Sequence, residues 1–174
     1  MATTIRPTHG GHAAHAAHSA SRRAWSRVLL RTAAVIFSLF TLGHTLGAML
    51  NDTRRGPRQA ELFAAMRAYT FEVQGATRSY WDFYRGFGFM VSVMLAMIAS
   101  LAWIASDMGK TQPREARRLS LVLTIAAAFL TWFSFTDFFA APMLMSAIAL
   151  VVLIAATVAL GREAADLSER EVSR

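Results

Sequence analysis

The chain predicts an all-α fold: a four-transmembrane-helix bundle with an amphipathic interfacial helix in the first outer loop. Three observations carry this. Four stretches hold no charged residue, Thr32 to Asn51, Gly86 to Ser106, Leu119 to Thr136 and Phe138 to Gly161. Each has about the 20 residues that a helix needs to cross a hydrocarbon core of roughly 30 Å. Hydrophobic residues make up 55% of the 174-residue chain and charged ones 17%, where a soluble domain carries about 25% charge. The arginines, finally, cluster at the ends of the uncharged stretches, where long basic side chains reach the headgroups.

Residues 1–24 form a His/Ala-rich arm expected to be disordered. His9, His12, His15 and His18 recur every third residue among Ala, Gly and Ser. That spacing drifts around a helix and no carboxylate accompanies it, so no metal and no cofactor are assigned. The membrane domain runs over 25–161, with spans at about 28–50, 84–106, 117–137 and 140–161. The first span follows Arg22, Arg23 and Arg27, yet its apolar run exceeds a signal-peptide core and no A-x-A-like site closes it. It is expected to stay uncleaved.

Between spans one and two, Asn51-Asp52-Thr53-Arg54-Arg55-Gly56 reads as a turn and Pro57 opens a helix expected over about 57–74. Leu62, Phe63, Met66, Tyr69 and Val73 share one of its faces, and Gly75 ends it. Between spans two and three, Gly109 terminates one helix and Pro113 starts the next. Span four begins near Pro142, making a tight hairpin with span three, and residues 162–174 read as a charged, solvated tail.

Lys and Arg total 18 against 11 acids, a formal charge of +7. Because these residues flank apolar spans, membrane lipids are the expected partners rather than nucleic acid. Eleven basic residues fall on the side of the two termini and the second loop, and six on the other. The positive-inside rule then places both termini in the cytoplasm. Trp25 and Trp103 at the inner ends of spans one and two, with Trp81 at the outer end of span two, fit that layout. With no cysteine there is no disulfide, thiolate metal site or thiol relay, which excludes quinone-linked disulfide chemistry.

Polar chemistry concentrates at the outer ends. His44 is the one ionisable side chain well inside a span; counted from Val28 it lies roughly 24 Å along the helix. It is either a functional group or a polar lock between helices. Gly43 and Gly47 around it make a G-x-x-x-G motif expected to pack against another helix, alongside Ser92, Ala96 and Ala99 of span two and Thr124, Ala128 and Thr131 of span three. That motif sets no oligomeric state. Further on, Arg78 and Arg85 stand four before and three after Asp82, so both can flank its carboxylate on one face. The bland alternative is an S-x-x-D capping box from Ser79 to Asp82 within an aromatic belt. Asp137, in the outer turn, is expected to cap span four.

Under this topology His44, Arg78, Asp82, Arg85 and Asp137 are expected to share one outer cup walled by Trp81, Tyr84 and Trp132, as a binding site or as a static polar network. The expected role is a non-catalytic or accessory one, with a lipid-like ligand or a partner helix seated in the cup. The alternative is an enzyme acting on a lipophilic substrate with His44 or Asp82 as acid/base and Arg85 holding an anionic group, which needs His44 within a hydrogen bond, or one water, of the reacting group or the carboxylate. A haem subunit is a third class: two axial imidazoles are lacking within the membrane, since only His44 lies there, which leaves mixed or single ligation open.

Gly43-His44 in span one, then Met66, Phe71, Gly75, Arg78-Ser79-Tyr80-Trp81-Asp82-Phe83-Tyr84 and Gly86-Phe87-Gly88, resemble an uncharacterised family of small bacterial four-span integral membrane proteins. The resemblance covers roughly residues 28 to 160 and implies a fold and an inner-membrane location, but no reaction.

Overall fold

A computed structural model describes residues 10–50 and 56–172, with side chains over 24–50 and 56–169. Helix α1 spans Gly10–His44 and continues as a π-helical turn, Thr45–Met49; α2 is Pro57–Ala68, β1 Thr70–Val73, β2 Ala76–Ser79, α3 Tyr80–Met108, α4 Pro113–Asp137 and α5 Ala140–Val172. The protein is all-α, with one short hairpin among the described residues. Among the described residues four helices are long and apolar enough to cross a membrane: Ala24–Met49, Tyr80–Met108, Pro113–Asp137 and Ala140–Glu169.

Side-chain size is distributed inside out relative to a soluble bundle. Buried positions are mostly Ala, Ser and Leu, whereas Trp132, Val93, Phe129 and Val151 are each about two-thirds exposed. In water such a surface would be an aggregation hazard; in lipid, whose tails are as apolar as Leu, helices associate through small residues that let backbones approach. This distribution suits a multi-pass membrane protein.

Each long helix carries its buried residues in alternating steps of three and four. The stripe is Ser26, Leu30, Ala33, Phe37 and Phe40 in α1; Ser92, Leu95, Ala99, Ala102 and Ser106 in α3; Pro113, Ala116, Ser120, Leu123 and Ala127 in α4; and Ser146, Ala149, Leu153, Ala156 and Leu160 in α5. A seven-residue repeat of this kind keeps one seam facing its neighbours when helices cross at shallow angles.

The chain divides into two compact units, Met1–Ala33 with Leu101–Arg174, and Ala34–Ser100. In the first unit α4 and α5 form the closest helix pair. Ser120 and Thr157 hydroxyls lie 2.7 Å apart, Thr124 and Thr157 3.1 Å, and Ser106 donates to the Arg27 carbonyl at 3.2 Å. At one end Arg31 stacks over Trp103 and, with Lys110, flanks Asp107. Gly109 and Pro113 act as expected: Gly109 donates to Ala105 O after the last turn of α3, and Pro113 opens α4, where its missing N–H costs nothing.

The second unit holds α1 from Ala34 onward and α3 up to Ser100, with α2 and the hairpin. Gly56, at φ +86°, turns the chain into α2, and Pro57 takes the first turn. Phe63 is buried, Met66 half-buried and Leu62 exposed.

Four expectations need correction. The helix expected over 57–74 stops at Ala68. Tyr69-Thr70-Phe71-Glu72-Val73 is rich in aromatic and β-branched residues, which fit a pleated strand better than a helix. Gln74 (φ +49°) and Gly75 (φ +80°) form the two-residue turn that pairs Val73 with Ala76 and Thr70 with Ser79. Gly75 therefore makes a hairpin rather than ending a helix. At the N-terminus, α1 reaches back to Gly10, into the arm expected to be disordered, where alanines supply strong helix propensity; His9 and the turn at 51–55 lie outside the described residues. The tail is not simply solvated: α5 continues to Val172, and Glu163 is only 4% exposed. Glu163 stands three residues after Leu160 and extends the buried stripe by one step.

The fourth correction concerns Gly43 and Gly47. Both are exposed, and a Cβ on either would meet no atom within 4 Å. The seam of α1 passes from Phe40 to His44 and then takes a step of five to buried Met49, across the π turn. That wider turn brings Met49 inward and leaves Gly47 outward. In this unit a glycine that does receive a neighbour is Gly88, where a Cβ would overlap the Met49 thioether.

Candidate functional site

His44 is half-buried at the last α-helical position of α1. Its Nδ1 lies 3.0 Å from the Ser92 hydroxyl of α3, and Thr45 Oγ1 lies 2.9 Å from the same oxygen and 2.8 Å from Thr41 O. Ser92 is itself buried. The Ser92 hydroxyl also lies 3.5 Å from Gly88 O, and the hydrogens fit the contacts between His44, Thr45 and Ser92 in more than one way. If Thr45 donates to Thr41 O, Ser92 donates to Thr45 and His44 Nδ1–H donates to Ser92; if Thr45 donates to Ser92, Ser92 donates to an unprotonated Nδ1. Either way the imidazole is tied across the α1–α3 contact.

Asp82 sits in the first turn of α3. Its Oδ2 accepts from Ser79 N at 2.8 Å and from Ser79 Oγ at 2.9 Å, while Asp82 N donates back to Ser79 Oγ at 3.3 Å. This reciprocal pattern is a capping box that satisfies donors at the start of α3 and links it to β2. Among the described residues no ion pair joins Asp82 to Arg78 or Arg85. Arg78 donates through Nη1 to Thr77 O at 2.8 Å, and Arg85 lies over the Phe89 ring at 5.5 Å.

The aromatic side chains form two clusters. Phe63 of α2 packs on Trp81 and Tyr84, with Arg67 stacked over Trp81 at 3.8 Å. The second runs Tyr69, Phe71, Tyr80, Phe83, Phe87, with Tyr69 on Tyr80 and Phe71 on Phe83 stacked. Such ring pairs contribute roughly 0.5–1.5 kcal/mol each beyond their area. Together they hold α2 and the hairpin against α3. Glu72 and Thr77, opposite each other in the hairpin, hydrogen-bond through their side chains.

An open cleft of about 490 Å³ lies where the hairpin meets α3. Val73, Gln74, Ala76 and Arg78 come from the hairpin, and Asp82, Phe83, Gly86, Phe87 and Met90 from α3. Phe83, Gly86, Phe87 and Met90 follow helical spacing, so the apolar wall runs down one face of α3 for about 12 Å from Asp82.

Of the residues expected in one cup, the structure brings Arg78 and Asp82 together on this cleft. His44, Trp81, Tyr84 and Arg85 do not line it. Trp81 is only 8% exposed, inside the α2 cluster. His44 stands opposite Ser92, ten residues beyond Asp82 on α3, a rise of about 15 Å. One hydrogen bond or one water cannot span that, so His44 and Asp82 cannot serve one reacting atom. Asp137 belongs to the other unit; as the last residue of α4 it accepts from the Thr136 hydroxyl at 2.7 Å. The sequence reading missed the cleft-lining Val73, Gln74, Ala76, Phe83, Phe87 and Met90, whose signal is the 83-86-87-90 spacing directly after Arg78 and Asp82. Among the described residues no three metal-ligating side chains gather.

Compared with known proteins, the chain matches no family model, no curated protein and no solved structure.

Proposed function

We propose that the protein is a non-catalytic or accessory component of a bacterial inner membrane, with both termini cytoplasmic, that binds a membrane lipid at its outer face. The family resemblance carried by the Arg78–Gly88 segment is part of the same proposal. One observation carries the binding reading: the cleft is charged at the first turn of α3 and apolar along the following two turns. An outer-leaflet phospholipid has that polarity along its length. Arg78 suits its phosphate, since a guanidinium presents parallel N–H donors. Phe83, Phe87 and Met90, each between 39% and 58% exposed, suit the upper part of an acyl chain.

The test is native mass spectrometry of the full chain extracted with its lipids. Wild type should carry phospholipid adducts, and Arg78→Gln and Phe87→Ala should each carry markedly fewer. His44→Ala, outside the cleft, should keep them. Adducts unchanged in both cleft variants would refute the reading.

A further inference from the structure

The cleft presents a guanidinium, of Arg78, and a carboxylate, of Asp82, that make no direct ion pair with each other. Asp82 directs one oxygen, Oδ2, to both Ser79 donors, and Oδ1 takes no hydrogen bond among the described residues. Arg78 commits Nη1 to Thr77 O, and its remaining N–H groups make no hydrogen bond among the described residues. The cap therefore holds the carboxylate through Oδ2 and leaves Oδ1 of this exposed side chain able to accept. Capping alone needs only the oxygen that faces Ser79.

We infer that the cleft selects a zwitterionic headgroup bearing an N–H ammonium beside its phosphate, the phosphoethanolamine class. Arg78 takes the phosphate and Asp82 Oδ1 accepts from the ammonium. This rests on the lipid-binding reading above. A phosphoglycerol headgroup carries net negative charge and presents no cation to Asp82, so the carboxylate opposes it. A phosphocholine headgroup is zwitterionic but has no N–H to donate. Charge-assisted hydrogen bonds are about twice as strong as neutral ones, which is what separates the ammonium from its trimethylated form.

The experiment offers the full chain, in detergent, phospholipids of one acyl composition with phosphoethanolamine, its N-monomethyl and N,N-dimethyl forms, phosphocholine and phosphoglycerol headgroups, read by native mass spectrometry. The first three should bind comparably, with occupancy falling about tenfold at the trimethyl step, the equivalent of roughly 1.4 kcal/mol, and phosphoglycerol lower still. Asp82→Asn keeps an oxygen for the Ser79 cap and should bring phosphoethanolamine down to the phosphocholine level. The methylation series uses wild type alone, so it holds even where that variant folds poorly. Equal binding of all headgroups, or a preference unchanged in folded Asp82→Asn, overturns the headgroup inference and leaves lipid binding intact. No lipid retained by wild type overturns both.

Discussion

If His44 is a lock between α1 and α3, its energy should depend on Ser92. Two contacts converge on the Ser92 hydroxyl, from His44 Nδ1 at 3.0 Å and Thr45 Oγ1 at 2.9 Å. Interhelical hydrogen bonds in membranes average about 0.6 kcal/mol and reach about 1.7. Ser92→Ala breaks both contacts and leaves an imidazole nitrogen without its partner, so it should cost about 1–2 kcal/mol. His44→Leu should cost a similar amount, and the double variant should fall short of the sum by about 0.6–1.7 kcal/mol. In the His44→Leu background Ser92→Ala should still cost about 0.6 kcal/mol, because the Thr45 contact survives there. Reversible unfolding in mixed micelles, with denaturing detergent as titrant, measures all four proteins. A coupling below about 0.3 kcal/mol, within the usual error of additivity, would refute the lock and make His44 a candidate chemical group again.

Gly88→Leu should destabilise by about 1–3 kcal/mol through overpacking against Met49, and Met49→Ala should restore most of the loss in the same unfolding titration. Gly88→Ala should be milder, since the atoms it meets are the flexible end of Met49. Gly43→Ala and Gly47→Ala, facing open space, should leave stability within about 0.5 kcal/mol of wild type or raise it by up to about 1, and cross-linking yields should not change. Leu153→Ala, at a fully buried seam position of α5, should cost about 2–5 kcal/mol.

The spans were legible because charge exclusion over a fixed length is a property of the chain itself, and so were the stops at Gly109 and starts at Pro57 and Pro113. The hairpin was not. Its strands have four residues each, and Leu62, Phe63, Met66, Tyr69 and Val73 satisfy a helical period equally well. The S-x-x-D box was readable from spacing, but the separation of Arg85 and Trp81 from Arg78 depends on ring partners that are not local, Phe63 above all. Gly43 and Gly47 misled for a related reason: whether a small residue faces a neighbour depends on helix winding, and nothing in Thr45–Met49 announces a π turn. Glu163 was in reach, since it continues the stripe of α5 at its own spacing, but its charge argued for solvent.

The π turn also bears on how much change in length this part of the chain tolerates. One residue removed from Thr45–Met49 closes the step of five to the ordinary step of four, so α1 runs on as a regular helix with Met49 still on the seam opposite Gly88. A residue inserted there has no such relief: it rotates the chain beyond it by about 100° and turns Met49 away from Gly88. A length scan should find deletion of Leu46, Gly47 or Ala48 tolerated and insertion at the same positions among the least tolerated changes in the first span.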